Sequence, residues 1–171
     1  VSFHDEDLKV KDDYNEKNTD DYIMASEEDE DGPYHYFTSF GKIFDLPQEI
    51  FNDIKKINCS GRKLYALPSN LPENLEILDC SYNYLYFLPE YLPLTLKVLT
   101  CNYNQLYKLP TYLPPSLETL ECHNNNLFKL PVVLPTSLKV INCTCNNIHK
   151  LPHLPNGMEL LYCLNNNQIN I

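Results

Sequence analysis

LPSNLPENLEILDCSYNYLYF, residues 67–87, decides the fold, because the same 21-residue phrase returns down the chain. Its apolar positions Leu67, Leu71, Leu75, Leu78, Cys80 and Leu85 recur as Leu88, Leu92, Leu96, Leu99, Cys101 and Leu106. They recur again as Leu109, Leu113, Leu117, Leu120, Cys122 and Leu127, then as Leu130, Leu134, Leu138, Ile141, Cys143 and Ile148. A rougher copy precedes them: Leu46, Ile50, Ile54, Ile57, Cys59 and Leu64. Pro47, Pro68, Pro89, Pro110, Pro131 and Pro152 keep the step of 21 without exception. A unit this short cannot bury its own apolar face, so stacked units must share one continuous core.

Within the unit, Leu78-Asp79-Cys80 alternates with period two, which turns Leu78 and Cys80 inward and Ile77 and Asp79 outward. The spacing predicts parallel strands over 56–59, 77–80, 98–101, 119–122, 140–143 and 160–163. Cysteine suits the inward position as a small, readily buried residue. Asn83, Asn104, Asn125 and Asn146 follow their cysteines by three and are expected to satisfy backbone groups where the chain bends inward. Arg62 holds that place in the first unit. The return limb PxxLPxxL carries two prolines in most units, so it is expected to be extended or polyproline-like and gently curved overall. Lys55, Glu76, Lys97, Glu118, Lys139 and Glu159 alternate in sign from unit to unit, as a parallel stack of ion pairs would require. The sixth unit, starting at Leu151, drops one residue in its return limb near Asn156-Gly157 and keeps Met158, Leu161 and Cys163. It is then expected to gain a residue before Asn167 and Ile169.

The pattern L-x-x-L-x-C-x-x-N-x-L resembles leucine-rich repeat proteins. More narrowly, Leu67, Pro68, Leu71, Pro72, Leu75, Leu78, Asn83 and Leu85 resemble the short double-proline repeats of bacterial type III effectors, including those whose repeats precede a ubiquitin-ligase domain. The resemblance covers residues 46–171 and departs from those effectors at Cys80, Cys101 and Cys122, where they carry an aliphatic residue. No ligase domain follows in this sequence, so ligase activity is not carried over. The Cys-, Asn-, Tyr- and Lys-rich repeats also resemble proteins predicted from large DNA viruses and amoebae. The resemblance implies a leucine-rich repeat solenoid with a parallel sheet on its concave face, and is nearly silent on partner.

Charge divides the chain. Residues 1–31 hold thirteen Asp or Glu against three Lys, whereas the remainder is balanced and the whole carries −10. The organisation expected is an acidic, flexible leader over 1–31, a capping strand and turn over 32–45, and six repeats over 46–171 with an open C-terminal end. The leader suits a solubilising tail, or an arm that meets a basic surface. The acidic balance argues against direct nucleic-acid binding, and no apolar run is long enough for a transmembrane helix. Seven cysteines cannot all pair; regular spacing explains six of them as core, with Cys145 off the ladder, in keeping with a reducing intracellular setting such as a host cell or a virion.

Function is expected on the outward strand positions. The middle column is Asn58, Asp79, Thr100, Glu121, Asn142 and Tyr162, and Asn102 and His123 stand beside it. With no basic cluster among them, these eight are candidates for binding a protein segment. Tyr65, Tyr86, Tyr107 and Phe128 share another column and are candidates for a stacked lateral interface. Catalysis is not expected: Cys122 faces inward, away from Glu121 and His123. Nor is a metal or other cofactor, since His123, Cys145, His149 and His153 keep no ligand spacing. Two roles remain open. One is a protein-binding module using the concave face or the C-terminal edge; the other is a structural component of a larger particle, assembled end to end or laterally.

Overall fold

The computed structural model describes residues 54–167. The acidic leader, the 32–45 cap and the first return limb lie outside those residues. Six three-residue strands follow one another: β1 (Lys56–Asn58), β2 (Ile77–Asp79), β3 (Val98–Thr100), β4 (Thr119–Glu121), β5 (Val140–Asn142) and β6 (Leu160–Tyr162). They pair in parallel, in chain order, as one sheet. The register holds each repeat position against its counterpart, Leu78 beside Leu99 and Leu120 beside Ile141. No helix occurs among the described residues. The double prolines account for this, since each removes an amide donor and biases the preceding residue away from helical geometry. Each limb instead makes one tight turn, in which the Leu75, Leu96, Leu117, Leu138 and Met158 amides donate to the carbonyls of Pro72, Pro93, Pro114, Pro135 and Pro155.

The core is the predicted ladder. Leu75, Leu78, Cys80 and Leu85, and their equivalents in the next two repeats, have no solvent exposure. Five ladder cysteines, Cys59 through Cys143, are buried in the same way, while Cys163 in the last described repeat is only partly covered. All seven thiols are free.

The strands end one residue earlier than the sequence predicts, and the asparagine ladder is the reason. The Cys80 amide still donates across to the Thr100 carbonyl at 2.8 Å. Its own carbonyl, however, accepts from Asn83 Nδ2 at 2.9 Å and from Asn104 Nδ2 at 3.0 Å. Cys101, Cys122 and Cys143 repeat the arrangement, each carbonyl receiving one asparagine from its own repeat and one from the next. The amide side of the strand therefore runs on while its carbonyl side is diverted. At the other end of the side chain, Asn83 Oδ1 accepts the Arg62 and Leu64 amides at 3.0 and 2.9 Å. Each asparagine thus closes a turn that belongs to the repeat before it.

The sixth repeat corrects one expectation. Asn166, not Asn167, occupies the ladder: its Nδ2 donates to the Cys143 and Cys163 carbonyls at 2.9 Å each, and its Oδ1 accepts the Ile148 amide at 3.0 Å. The step of three from cysteine to asparagine is set by bond geometry, so no residue is gained there. The lost residue stays in the return limb, where nothing in the ladder depends on the count.

The bend itself needs a left-handed residue two positions after each cysteine. Gly61 takes it with φ 66°, but Tyr82, Tyr103, Asn124, Cys145 and Asn165 take it with φ between 51° and 55°. Left-handed geometry costs an ordinary L-residue about 1–2 kcal/mol. Tyr82 and Tyr103 recover part of this by stacking on one another, rings 4.5 Å apart and 10° from parallel.

Candidate protein-binding face

The six middle-column residues lie side by side, because β1 to β6 pair Asn58 with Asp79, then Thr100, Glu121, Asn142 and Tyr162 in unbroken register. At about 4.8 Å per strand they make a file roughly 25 Å long. The flanking column, Ile77, Val98, Thr119 and Val140, is half-buried, so β-branched side chains edge the file. None of these residues is needed to fill the core.

Part of the file serves the fold as well. Asn58 Oδ1 accepts the Ser60 amide at 3.0 Å, Asp79 Oδ1 accepts the Ser81 amide at 3.0 Å, and Asn142 Oδ1 accepts the Thr144 amide at 3.2 Å. Each is a small turn cap at the strand end. Asn102 is buried, and its Oδ1 accepts the His123 amide at 3.1 Å. Its role in this structure is thus to hold its neighbour. The side-chain hydroxyl of Ser81 is buried without a partner.

His123 is the best-anchored side chain on this face. Its Nδ1 lies 3.1 Å from Asn142 Nδ2 and 3.4 Å from Glu121 Oε2, and its ring meets the Tyr103 ring edge-on at 5.4 Å. An unprotonated Nδ1 accepts from Asn142, and a protonated one donates to Glu121. It cannot do both. The sequence placed His123 in the column beside Glu121 and Asn142, and the structure joins all three in one cluster. Asp79 stays apart from Glu121, with Thr100 between.

Nucleophilic chemistry finds no support in the thiol beside this cluster. Cys122 is buried, and burial first, then the charges of Cys143 and Glu121, push its pKa well above the ordinary thiol value. Burial likewise lifts Cys59 and Cys143 to about 12. Among the described residues no group of three His, Cys, Asp or Glu side chains could hold a metal ion. No helix among them is long and apolar enough to cross a membrane.

The alternating column forms three of the five neighbouring ion pairs its signs predict, the Lys97–Glu118 and Lys139–Glu159 steps making none among the described residues. Lys97 Nζ lies 2.6 Å from Glu76 and Lys139 Nζ 2.7 Å from Glu118, while Lys55 reaches Glu76 at 3.5 Å. The hydrogen bonds from Lys97 and Lys139 are the main cause of the lowered pKa values of Glu76 and Glu118.

The lateral candidates behave differently from the stack expected. Tyr65, Tyr86, Tyr107 and Phe128 are 67%, 47%, 45% and 57% exposed. Among the described residues, none of the four rings stacks on another of the four. Tyr65 instead leans on Tyr84 at 5.4 Å, and the parallel stack belongs to Tyr82 and Tyr103. Tyr82 and Tyr103 sit at the bend, where both share left-handed backbone. The two tyrosines fall 21 residues apart, and that column was the signal sequence reasoning passed over.

No protein-family model matches the sequence, and no curated protein does. Solved structures do. A Shigella effector leucine-rich repeat domain is 41% identical, with a TM-score of 0.64, over 67% of this chain and 51% of that one. The leucine-rich effector protein YopM from Yersinia pestis is 37% identical with a TM-score of 0.61, covering 67% of this chain and 33% of that one. YopM from Yersinia enterocolitica is 25% identical with a TM-score of 0.57, over 75% and 36%. The chain thus spans about half the length of the first of these and a third of the others. Its fold is that of a leucine-rich repeat solenoid, matching effector repeat proteins.

Proposed function

We propose that the chain is a non-enzymatic protein-interaction module that receives a polypeptide across its concave sheet. The observation that carries this reading is the unbroken file Asn58, Asp79, Thr100, Glu121, Asn142 and Tyr162, which varies in chemistry while the inward residues before and after it, such as Leu78 and Cys80, recur from repeat to repeat. A surface that is regular in backbone and irregular in side chain is suited to reading one partner. The likeness to effector repeat domains agrees with a binding role. The buried thiols agree with a reducing compartment, in a host cell or a particle made there. The test is affinity capture from the source material, followed by crosslinking. Labels on Asp79, Glu121, His123 and Asn142, with capture abolished by Glu121→Arg in a folded protein, are expected. Capture unaffected by Glu121→Arg and by Thr100→Arg would remove the concave face from consideration.

A second reading, a structural component held by lateral or end-to-end contacts, draws on the exposed rings Tyr65, Tyr86, Tyr107 and Phe128 and on the half-exposed Leu160 and Tyr162 of β6. Recovery of many copies of the same chain, with labels confined to those residues, would favour it over the first.

A further inference from the structure

Lys108, Lys129 and Lys150 occupy one repeat column, at the junction of turn and return limb. All three are exposed. Unlike the Lys97–Glu76 column, this one stacks like charge on like charge. Glu90 lies near enough to Lys108 for that lysine to help lower its pKa, after the larger effect of its hydrogen bonds from Thr111. Lys129 and Lys150 make no ion pair among the described residues. Beside the lysines runs a cleft of about 340 Å³ lined by Leu109, Pro110, Tyr112, Pro131, Val132 and Val133, with Lys108 and Lys129 on its border. Tyr112, Val132 and Val133 are 75%, 77% and 70% exposed. An apolar cleft bordered by stacked cations, of which Lys129 makes no ion pair among the described residues, selects for an anionic segment with apolar residues inside it.

The chain contains such a segment. Residues 20–31 read DDYIMASEEDED: seven acids, no base, and Tyr22-Ile23-Met24 set between the acidic runs. We propose that this segment docks on the ledge of Lys108, Lys129 and Lys150, with its apolar triplet in the adjoining cleft. The 23 residues between positions 31 and 54 can span up to roughly 75 Å, whereas the ledge lies about three to five repeats, or 15–25 Å, along the solenoid. Reach is therefore ample. Tethering also sets the local concentration of the segment near the millimolar range, so a weak electrostatic and apolar contact suffices. The leader then covers this apolar cleft on the return limbs, and an acidic competitor would release it.

Zero-length carbodiimide coupling of the intact chain, read by mass spectrometry, tests this. Joins from Glu27 to Asp31 onto Lys129 and Lys150 are expected to exceed joins onto the exposed control Lys63 by roughly tenfold, and to fall away at about 0.5 M salt. An even spread over all lysines overturns the proposal. Mixing isotope-labelled and unlabelled chains separates sources: joins that combine the two labels would assign the ledge to the leader of a second copy and overturn docking within one chain. As an independent readout, the backbone amide shifts of residues 20–31 are compared between the natural chain and Lys129→Glu/Lys150→Glu. Displacement is expected, with the sheet resonances unchanged because both sites are exposed. Identical leader shifts in the two proteins would also overturn it.

Discussion

The two sides of each strand follow opposite rules. Inward, Leu78, Cys80 and Asn83 and their counterparts repeat almost letter for letter, because they are buried and each asparagine bonds both its own repeat and the one before it. Outward, Asp79, Thr100, Glu121 and Asn142 share a backbone position and little else. The comparison teaches where sequence freedom lies. A residue that completes a neighbour's turn cannot change alone, whereas one that faces solvent from a rigid sheet can be chosen for a partner.

The largest expected effect tests the inward side as a whole. Cys59, Cys80, Cys101, Cys122 and Cys143 all have raised pKa values in the fold, chiefly through burial. In the unfolded chain they return to about 8.5. The neutral thiols stabilise the fold fully below that unfolded value. Above it the unfolded chain sheds protons that the fold retains, so stability falls with rising pH until the folded values are reached. Each thiol contributes up to about 1.4 kcal/mol per pH unit, so the five together amount to several kcal/mol between about pH 9 and 10. Urea denaturation at stepped pH measures it, and Cys101→Val with Cys122→Val is expected to flatten the curve. A curve that the double variant leaves unaltered would place the thiols outside the core.

A single-site contrast comes next. Asn104→Ala strips bonds from the Leu85 amide and from the Cys80, Cys101 and Asn102 carbonyls, all buried or nearly so. It is expected to cost about 2–4 kcal/mol, against less than about 0.5 kcal/mol for Thr100→Ala on the outward face. Comparable costs at the two positions, measured by thermal and urea unfolding, would erase the distinction between the two sides.

Tyr103 sharpens the comparison at its border. Tyr103→Ala keeps the left-handed strain and loses the stack with Tyr82, for an expected loss of about 1 kcal/mol. Tyr103→Gly loses the stack but relieves about 1 kcal/mol of backbone strain, so it is expected to be near neutral. If glycine were the worse of the two, strain at the bend would not be what the stack offsets.

The smallest effect belongs to the exposed charge column. Lys97→Ala is expected to destabilise less than Asn104→Ala or Tyr103→Ala, and less still at high salt. The lowered pKa of Glu76 means its contribution is complete above the ordinary carboxylate range and disappears as pH falls through the folded value. The raised pKa of Lys97 adds a loss at the alkaline end, as pH rises through its folded value. A loss as large as that of Asn104→Ala would mean this column holds the stack together as the asparagines do.

The ladder was legible in the sequence because a buried position shared by neighbouring units must satisfy the same packing each time. Leu99, Cys101 and Asn104 declare their environment simply by recurring. Asn166 was misread because its repeat follows a shortened limb, and counting from the limb put the ladder on Asn167. Counting from Cys163, where the bonds are made, leads to the right residue. The reach of His123 was not legible: Glu121 and Asn142 are periodic neighbours, but no periodicity encodes the approach of His123 Nδ1 to both of them. The same holds for Tyr82 and Tyr103, whose stacking depends on a backbone sign at the bend that tyrosine does not announce.

Because Asn83, Asn104, Asn125, Asn146 and Asn166 each finish the turn of the preceding repeat, the length of this protein is a quantised variable. Duplicating or deleting one whole unit leaves every donor facing an equivalent acceptor, whereas shifting part of a unit orphans two turns at once. The one tolerated irregularity, a 20-residue step, falls in the limb that the asparagines never touch. Such a chain can lengthen or shorten its reading surface by about 4.8 Å at a time, through recombination between its own repeats, without revisiting the problem of how to fold.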